Sequence, residues 1–258
     1  MDQSIILPHL PKGVRLTVLP VADSTNRLLT ERAKEGQSED ELLIALSQTA
    51  GRGRFDRAFY SPDGTGIYMS LLLHPAFSPS LYPLITPLTG VAVAEAIEEI
   101  SGKAVGIKWV NDIYDGKRKL CGILAEAGFA PSPYLVIGIG INAFMPSSIP
   151  AELEGLLGAV FDTAVPLGRE RIIAAFLDRF YTHLGCLGKR DFMQEYRRRS
   201  ILLGKRITVH DAARDTARTG EGKAATCLDI DGEGGLIIRY ENGEHAVLRA
   251  GEVTLSLR

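Results

Sequence analysis

The change of pattern after Leu203 is the feature of this sequence that most constrains its fold. Before it, apolar segments typical of strands alternate with segments typical of helices; after it, short strands follow one another with glycine-rich turns between them. Asp231-Gly232 and Asn242-Gly243 are strong hairpin signals in this second part. We therefore predict an α+β domain over residues 1–203 and a small β-barrel over residues 204–258. The predicted barrel strands are 205–210, 224–230, 235–240, 246–250 and 253–257.

The first part has the pattern of a β-sheet flanked by helices. A helix is expected to begin at the capping side chains of Asp23-Ser24-Thr25-Asn26 and to end near residue 36. Another helix is expected to end near residue 101, after a proline-punctuated stretch. Further elements follow from hydrophobic periodicity. They are the strands 14–21, 42–47, 66–73 and 134–142 and the helices 169–187 and 191–200.

Composition and charge argue against two kinds of partner, nucleic acid and membrane. The 258 residues carry a net charge of −2, which offers no broad positive field for nucleic acid. The N-terminus has no basic flank before its short apolar run, and no segment reads as the roughly 18 apolar residues that a membrane span needs. We therefore expect a cytoplasmic protein without a DNA or membrane partner.

Cysteine and histidine do not occur in patterns that bind metals or form hydrolase sites. The three cysteines are far apart and odd in number, which disfavours a disulfide framework or a zinc site. The five histidines have neither metal-ligand spacing nor an obvious serine partner. The residues concerned are Cys121, Cys186, Cys227, His9, His74, His183, His210 and His245.

Gly51-Arg52-Gly53-Arg54 follows directly after an apolar strand and indicates an anion site. The glycines let the backbone approach a ligand closely, and the two guanidiniums supply positive charge. An anionic small molecule is therefore the expected ligand. The alternative interpretation is a solvated loop or a weak nucleic-acid tail.

Residues 108–126 are predicted to form a hairpin that gathers charged side chains. Asp115-Gly116 is a two-residue type I′ turn signal, which would set Asp112 opposite Lys119. Lys108 would lie on the same face by strand alternation, within reach of the same ligand. The alternative is a surface hairpin with ordinary cross-strand ion pairs.

Gly138, Gly140 and Ala143 fit the G-x-G-x-x-A dinucleotide pattern only nominally. A dinucleotide turn must open a helix, but Pro146 and Pro150 interrupt the residues that follow. We interpret the segment as a strand whose glycines admit a ligand beside it and which ends in the polar Asn142. The sequence has no G-x-x-x-x-G-K-[ST] loop, so a nucleotide would be held without that motif.

Taken in order, these segments resemble one family, the biotin protein ligases, or biotin–[acetyl-CoA-carboxylase] ligases. The resemblance runs through Asp23-Ser24-Thr25-Asn26 and residues 48–62, 108–126 and 138–142, and it continues to 251–258. It implies a catalytic fold like that of class II aminoacyl-tRNA synthetases, a mixed sheet flanked by helices, with an SH3-like barrel from about residue 204. It also implies an enzyme that adenylates biotin to biotinyl-5′-AMP and transfers the biotinyl group to a lysine of a biotin carboxyl carrier protein.

The resemblance assigns a role to each matched residue, with Mg²⁺ carried by ATP and no metal site in the chain. Near biotin, some residues would bond the ureido group, some would present backbone at its rim, and others would face its carboxylate or line its pocket wall. The implied biotin-binding residues are Ser24, Thr25, Asn26, Gln48, Gly51, Arg52, Gly53, Arg54, Trp109 and Lys119. The implied ATP-binding residues are Arg54, Lys108, Asn111, Lys119 and Asn142. The implied catalytic residues are Arg54, Lys108, Asp112 and Lys119.

Three positions depart from the family pattern. Asp56 stands where the family has glycine, Phe59 where it has tryptophan, and Val110 where it has the proline of Lys-Trp-Pro-Asn-Asp. Asp56 is expected to affect the closed conformation and charge of the loop at 51–62, which we predict to be mobile without ligand.

The chemistry that the resemblance implies explains why the site is rich in cations. Joining a carboxylate to the α-phosphorus of ATP brings negative groups together, and arginines and lysines would offset that repulsion. The attacking lysine of the carrier needs a nearby carboxylate to orient it or to take its proton, for which Asp112 is the candidate.

Other functions are weighed against this one. A lipoate–protein ligase uses similar chemistry, but its Arg-Arg-x-Ser-Gly-Gly-Gly-type loop is not found. A biotin-responsive repressor needs an N-terminal helix-turn-helix, and only 22 residues precede Asp23, so we expect the form without a DNA-binding domain. A non-catalytic binding module would use the barrel and Arg197-Arg198-Arg199, which we interpret instead as the solvated face of a helix. The sequence leaves a homodimer open.

Overall fold

A seven-stranded mixed sheet is the centre of the first part of the chain. The computed structural model describes residues 1–210 and 222–255, without the side chains of Asp56 and Glu252. The strands are β1 (Arg15–Ala22), β2 (Glu41–Gln48), β3 (Gly66–Leu73), β4 (Gly106–Lys108), β5 (Asp112–Asp115), β6 (Arg118–Gly128) and β7 (Tyr134–Asn142). Their order is β1-β2-β3-β7-β6-β5-β4, in which β1 and β2 are parallel and the other neighbours antiparallel.

Helices cover both faces of this sheet. They are α1 (Gln3–Ile6), α2 (Thr25–Lys34), α3 (Ile85–Ser101), α4 (Gly168–Gly185) and α5 (Phe192–Arg199). Leu42 and Ile44 of β2 belong to the large core that contains α3 and α4, whereas Leu43 packs with Leu29 of α2 on the opposite face. Because both faces of β2 are buried, its apolar run is continuous instead of alternating.

The predicted elements of the first part are present, with ends within two residues of the expected ones. The largest differences are at helix ends, where α2 ends at Lys34 and α4 at Gly185. Helix α3 begins at Ile85, two residues before Pro87, because a proline in the first helical turn removes no intrahelical hydrogen bond. The mixed sheet flanked by helices is thus confirmed.

Helix α3 corrects one expectation about membranes. Pro79–Ser101 is long and apolar enough to span a membrane, and it is the one such stretch in residues 1–210 and 222–255. No segment of this kind was expected from the sequence. In the fold, 67% of its most apolar window is buried within the protein, where it packs against α4 and the sheet. Its composition is therefore that of a core helix.

Helix α5 corrects the interpretation of the three consecutive arginines. Arg199 is only 8% exposed, and its guanidinium pairs with Glu98 at 2.7 Å and Glu195 at 2.7 Å. Arg197 donates to the carbonyl oxygen of Ile230 at 2.5 Å, and Arg198 remains at the surface. The prediction of a solvated face was wrong for Arg199, because the end of α5 packs on α3.

The second part of the chain forms a five-stranded antiparallel sheet of order β11-β10-β9-β8-β12. Its strands are β8 (Arg206–His210), β9 (Lys223–Ile230), β10 (Leu236–Tyr240), β11 (His245–Leu248) and β12 (Glu252–Leu255). Both hairpin signals lie in turns, where Gly234 and Gly243 have φ of 81° and 87°. The end of the last predicted strand, at 256–257, lies outside the described residues. The small C-terminal β domain is present.

Candidate active site

The N-terminus of α2 places three predicted ligand-binding residues next to the end of β2. Ser24 is the N-cap, with its side chain accepting from the backbone N–H of Arg27 at 3.5 Å. The backbone N–H and the hydroxyl of Thr25 lie 2.9 and 3.2 Å from Oε1 of Gln48. Because β1 and β2 are parallel and adjacent, the helix that follows β1 begins beside the last residue of β2. Ser24, Thr25 and Gln48 are thus brought together.

Gly51 lies at a point where the chain has no room for a side chain. A Cβ there would stand 2.5 Å from the carbonyl oxygen of Phe59 and 2.7 Å from Oγ of Ser61. Phe59 donates its backbone N–H to the carbonyl of Gly51 at 2.8 Å, and Nε2 of Gln48 donates to Ser61 at 3.0 Å. The glycine therefore lets the loop fold back on itself beside Gln48.

The rest of the loop is held by its own backbone and by β3. Gly53 donates its N–H to the carbonyl of Arg57 at 2.7 Å, and the exposed Arg52 forms an antiparallel bridge with Ala58. At the end of the loop, the hydroxyl of Tyr68 donates to the carbonyl of Pro62 at 2.9 Å. Burial raises the pKa of Tyr68 to about 12, so its hydroxyl stays a donor at neutral pH.

The β5–β6 hairpin has a different register from the predicted one. Asp115 pairs with Arg118, so the two-residue loop is Gly116-Lys117 and not Asp115-Gly116. Gly116 takes the φ of 58° that the first loop position requires. A bulge between Ile113 and Tyr114 then shifts the pairing again, which sets Asp112 opposite Gly122 and Tyr114 opposite Lys119. The predicted pairing of Asp112 directly opposite Lys119 was wrong.

The predicted contact between Asp112 and Lys119 nevertheless forms. Lys119 Nζ lies 2.7 Å from Asp112 Oδ1, because the lysine side chain reaches across Gly122. A Cβ at Gly122 would be 3.2 Å from that Nζ and 3.3 Å from the ring of Phe59. Lys108 pairs directly with Asp112 in the β4–β5 ladder, with its ammonium 5.8 Å from the ring centre of Tyr114. Lys108, Asp112 and Lys119 thus share one face, as predicted.

Arg54 links this cluster to the C-terminal sheet. Its guanidinium donates to Asn111 Oδ1 at 3.2 Å and to the carbonyl oxygen of Gly251 at 3.1 Å. Asn111 in turn donates to the carbonyl of Ile123 on β6 at 2.8 Å. Arg54, Asn111 and the β4–β6 hairpins are therefore one connected unit.

Trp109 and Asn142 are buried and have partners within the protein. The indole N–H of Trp109 donates to the carbonyl of Gly234 in the C-terminal domain at 2.9 Å. Asn142 Nδ2 donates to the backbone carbonyl of Lys119 at 3.1 Å and so holds β6 against the end of β7. Cys121, two residues after Lys119, is fully buried in the hydrophobic core, and this burial raises the pKa of its thiol, which therefore stays protonated.

Both polar atoms of the Asn26 side chain form hydrogen bonds within the protein. Its Nδ2 donates to Glu126 at 2.8 Å and to the carbonyl of Leu124 at 3.2 Å, and its Oδ1 accepts from Ser70 at 2.6 Å. Its side chain fills the space over Gly138, where a Cβ would be 2.0 Å from Oδ1. The glycine that suggested close approach of a ligand thus admits a side chain of the protein itself.

Several residues that complete this site were not predicted from the sequence. Glycine within an apolar strand was the available signal, since it marks close approach of another group. Gly140 lies under the ring of Phe59, where a Cβ would be 2.4 Å from the ring. No sequence pattern pointed to the buried hydroxyls or to the carboxylate that pairs with Asn26. The residues missed are Ser61, Ser70, Gly122 and Glu126.

The arrangement suits a ligand with a polar head and an anionic tail. Neutral donors and acceptors surround the α2 N-terminus, and Lys108, Lys119 and Arg54 lie around Asp112 and Asn111. Phe59 connects the two groups, since its backbone bonds Gly51 and its ring lies by Gly122 and Lys119. Arg52 is exposed. Among the described residues, no group of three or more histidine, cysteine or acidic side chains is placed to hold a metal ion.

Comparison with known proteins identifies relatives of this chain. Residues 18–142 match the sequence profile of the Biotin/lipoate A/B protein ligase family. The chain is 33% identical over 236 residues to the bifunctional ligase/repressor BirA of Bacillus subtilis, an alignment that covers 90% of this chain and 71% of that protein. It is 28% identical over 247 residues to the biotin–[acetyl-CoA-carboxylase] ligase of Mycobacterium tuberculosis, covering 93% of this chain and 88% of that protein.

A solved structure has the same fold. The biotin protein ligase of Aquifex aeolicus in complex with biotin and ATP superposes with a TM-score of 0.76 at 27% identity, covering 94% of this chain and 99% of that one. The similarity therefore extends through the catalytic sheet and the C-terminal β domain. The chain belongs to the biotin protein ligase family.

Proposed function

We propose that this protein is an ATP-dependent ligase that adenylates biotin and transfers the biotinyl group to a lysine of a biotin carboxyl carrier protein. The observation that carries the proposal is the joining of two groups in one site: the Ser24, Thr25 and Gln48 cluster and the charged cluster of Arg54, Lys108, Asp112 and Lys119. Relatives named for this reaction and a related structure with biotin and ATP support it.

In the first step, Arg54, Lys108 and Lys119 offset the repulsion between the biotin carboxylate and the ATP phosphates. Each well-placed donor of this kind is worth about 3 kcal/mol in the transition state. The Asp112 carboxylate lies 2.7 Å from Lys119 and holds its ammonium in place until a ligand anion replaces it. Asn111 orients Arg54 in the same way, at 3.2 Å.

Mg²⁺ would be held in this site together with the ATP phosphates. The carboxylate of Asp112 and the amide oxygen of Asn111 are oxygen ligands of the kind that Mg²⁺ prefers, so the residues here are compatible with it. When bound, Mg²⁺ neutralises part of the phosphate charge.

In the second step, a lysine amine of the carrier attacks the carbonyl carbon of biotinyl-5′-AMP, an amide bond forms, and AMP leaves. Asp112 takes the proton of the incoming ammonium. The buried thiol of Cys121 plays no part, because it stays protonated.

The remaining assignments belong to the same proposal. Arg52, Gly53 and Gly51 would line the rim of the biotin site, and the loop at 51–62 would close over the anhydride and be mobile without ligand. Trp109 would stand in the wall of the biotin site and Asn142 near the nucleotide. We further propose that the protein acts in the cytoplasm, without a DNA or membrane partner, and that residues 204–258 form an SH3-like domain separate from 1–203. A homodimer is compatible with this proposal.

The direct test combines the protein with ATP, Mg²⁺, biotin and a biotin carboxyl carrier domain. We expect pyrophosphate release that depends on biotin and a mass increase of the carrier by one biotinyl group. Lipoate in place of biotin is the control, because the family profile includes lipoate ligases. Modification of a carrier by lipoate and not by biotin would contradict the proposal.

The two steps are predicted to respond differently to two substitutions. Lys119→Ala should suppress pyrophosphate release by about a hundredfold, since it removes a cation that faces the forming mixed anhydride. Asp112→Asn should mainly slow transfer from preformed biotinyl-5′-AMP, because an amide does not accept the proton. Rapid-quench measurement of each step separates the two. Equal effects of both substitutions on pyrophosphate release would refute this division of roles.

A further inference from the structure

Phe55 lies at the tip of the loop at 51–62, in a backbone conformation that is unfavourable for phenylalanine. Gly53 donates its N–H to the carbonyl of Arg57 at 2.7 Å, and Arg57 donates its N–H to the carbonyl of Arg54 at 3.3 Å, so the chain turns tightly around Phe55. The φ and ψ of Phe55 are 56° and 40°. In this left-handed region a Cβ crowds the following carbonyl oxygen, and glycine, asparagine and aspartate are the residues that tolerate it. The turn by itself would therefore favour one of those three residue types.

The side chain of Phe55 contacts two guanidinium groups. The guanidinium carbon of Arg54 lies 4.8 Å from the centre of the Phe55 ring, and that of Arg57 lies 6.0 Å from it. Both distances are within the range of cation–π attraction, and the contact with Arg54 is the closer one. These contacts of the half-buried ring offset the cost of the backbone conformation.

Three contacts of Arg54 have neutral partners. Its guanidinium donates to Asn111 Oδ1 at 3.2 Å and to the carbonyl oxygen of Gly251 at 3.1 Å, and the third partner is the Phe55 ring. Such partners hold a guanidinium without neutralising it. A carboxylate at position 55 would also tolerate the turn and hold the arginine, but its negative charge would weaken the attraction of Arg54 for a ligand anion.

We infer that Phe55 is a positioning residue of the anion site, whose ring holds the Arg54 guanidinium in place for the carboxylate of biotin and leaves its charge intact. Phe55 acts through Arg54 and does not need to touch the ligand. The contact with Arg54 is thus the reason for a phenylalanine in a turn that favours other residues. The inference rests on the proposed function, because it takes biotin as the ligand and Arg54 as a residue that faces its carboxylate.

The test compares the binding of biotin and of biotinamide, its uncharged primary amide, by titration calorimetry. The two ligands share the same ring system, so a change in the ratio of their affinities reports on the charge that the carboxylate meets. Phe55→Leu should weaken biotin about two- to fivefold, the equivalent of one partly exposed cation–π contact, and should leave the affinity for biotinamide unchanged. A substitution that only disturbed the loop would weaken both ligands.

Two further variants separate the effect of the ring from that of the backbone. Phe55→Trp keeps an aromatic face and should retain the wild-type ratio of biotin to biotinamide affinity. Phe55→Asn suits the left-handed turn but has no ring, so it should lower the ratio as Phe55→Leu does, with a melting temperature that is unchanged or higher. A wild-type ratio in Phe55→Asn would show that the turn matters and not the ring, and would overturn the inference.

A double-mutant cycle identifies the arginine through which Phe55 acts. In the Arg54→Ala background, Phe55→Leu should have no further effect on the affinity for biotin, whereas in the Arg57→Ala background its effect should persist. The reverse pattern, equal weakening of both ligands by Phe55→Leu, or no effect of Phe55→Leu would each overturn the inference while biotin binding stands. Failure of the wild type to bind biotin would overturn both the inference and the proposed function.

Discussion

At the scale of single residues, the site depends on glycines that leave space for particular neighbours. Gly122 leaves room for the side chain of Lys119, and Gly51 allows the loop at 51–62 to pack beside Gln48. The motif residues could be predicted from the sequence because their types and order carry the chemistry. The contacts that make the glycines necessary could not, since Phe59 and Lys119 reach them through the folded chain and not through sequence spacing.

Gly51→Ala is predicted to impair biotin binding. The added methyl group would lie 2.5 Å from the carbonyl oxygen of Phe59, which must shift and take the loop with it. Overpacking of this kind costs about 1–3 kcal/mol, so we expect KM for biotin to rise about tenfold or more. Steady-state kinetics of pyrophosphate release measures it.

Gly53→Ala is the comparison variant for this prediction. Among the described residues, the atom that its Cβ would meet is the carbonyl oxygen of Arg57, at an ordinary 3.5 Å, so the effect of this substitution on KM should be much smaller. Similar effects of the two substitutions would show that loop flexibility, and not the space at Gly51, is what matters.

At the scale of secondary-structure elements, strands and helices follow local patterns while their registers do not. Strands β3 and β7 have the predicted ends because continuous apolar runs mark them. The β5–β6 register was not predictable, since a bulge at Ile113 and Tyr114 leaves no signature in the residue types. The helix on which α5 packs could not be predicted either, because Arg199 pairs with a glutamate 101 positions away.

The contact between α3 and α5 gives a prediction for stability against pH. The hydrogen bond from Arg199, aided by the backbone N–H of Val105, holds the pKa of Glu98 below its usual value of 4.5. A carboxyl with a lowered pKa stabilises the fold above the unfolded pKa and loses that contribution as pH falls through the folded value. The melting temperature of the wild type should therefore drop below about pH 4.5.

Glu98→Gln should be less stable than the wild type by about 1.5–3 kcal/mol at pH 7 and should approach it at low pH. Thermal unfolding from pH 7 to pH 3.5 measures the difference. Glu99→Gln, which breaks the exposed pair of Glu99 with Arg179, is the control and should change stability by at most about 1 kcal/mol. A Glu98→Gln difference that stays constant with pH would contradict the assignment.

At the scale of the whole molecule, the two sheets meet at the site. Trp109 donates to Gly234, Arg190 to Gly232 and Arg54 to Gly251, so side chains of the first part bond backbone carbonyls of the second. The small β domain was predictable from its turns, because glycine and aspartate signal hairpins locally. Its docking was not, since each bond joins an ordinary turn carbonyl to a distant residue.

Trp109→Phe is predicted to loosen this docking. The substitution removes the indole N–H that donates to the carbonyl of Gly234 at 2.9 Å. Loss of this hydrogen bond should lower the free energy of unfolding by about 1–3 kcal/mol. We expect faster amide exchange at the β9–β10 turn and a higher KM for biotin. Hydrogen exchange with mass spectrometry and steady-state kinetics test the two effects.

Arg190→Ala is the matched control, because it releases the same turn at a residue away from the charged cluster. It should speed exchange at the turn and change KM for biotin less than Trp109→Phe does. An equal rise in KM would show that docking alone, and not the position of the indole, affects the site.

The contact of Phe59 with Gly140 constrains how this site can evolve. A Cβ at Gly140 would stand 2.4 Å from the ring, so the glycine is not free to change while Phe59 keeps its position. Replacement of the glycine by alanine requires a smaller group at 59 in the same lineage, and a bulkier aromatic at 59 depends on the glycine being retained. The loop and the strand thus have to be inherited as a matched pair.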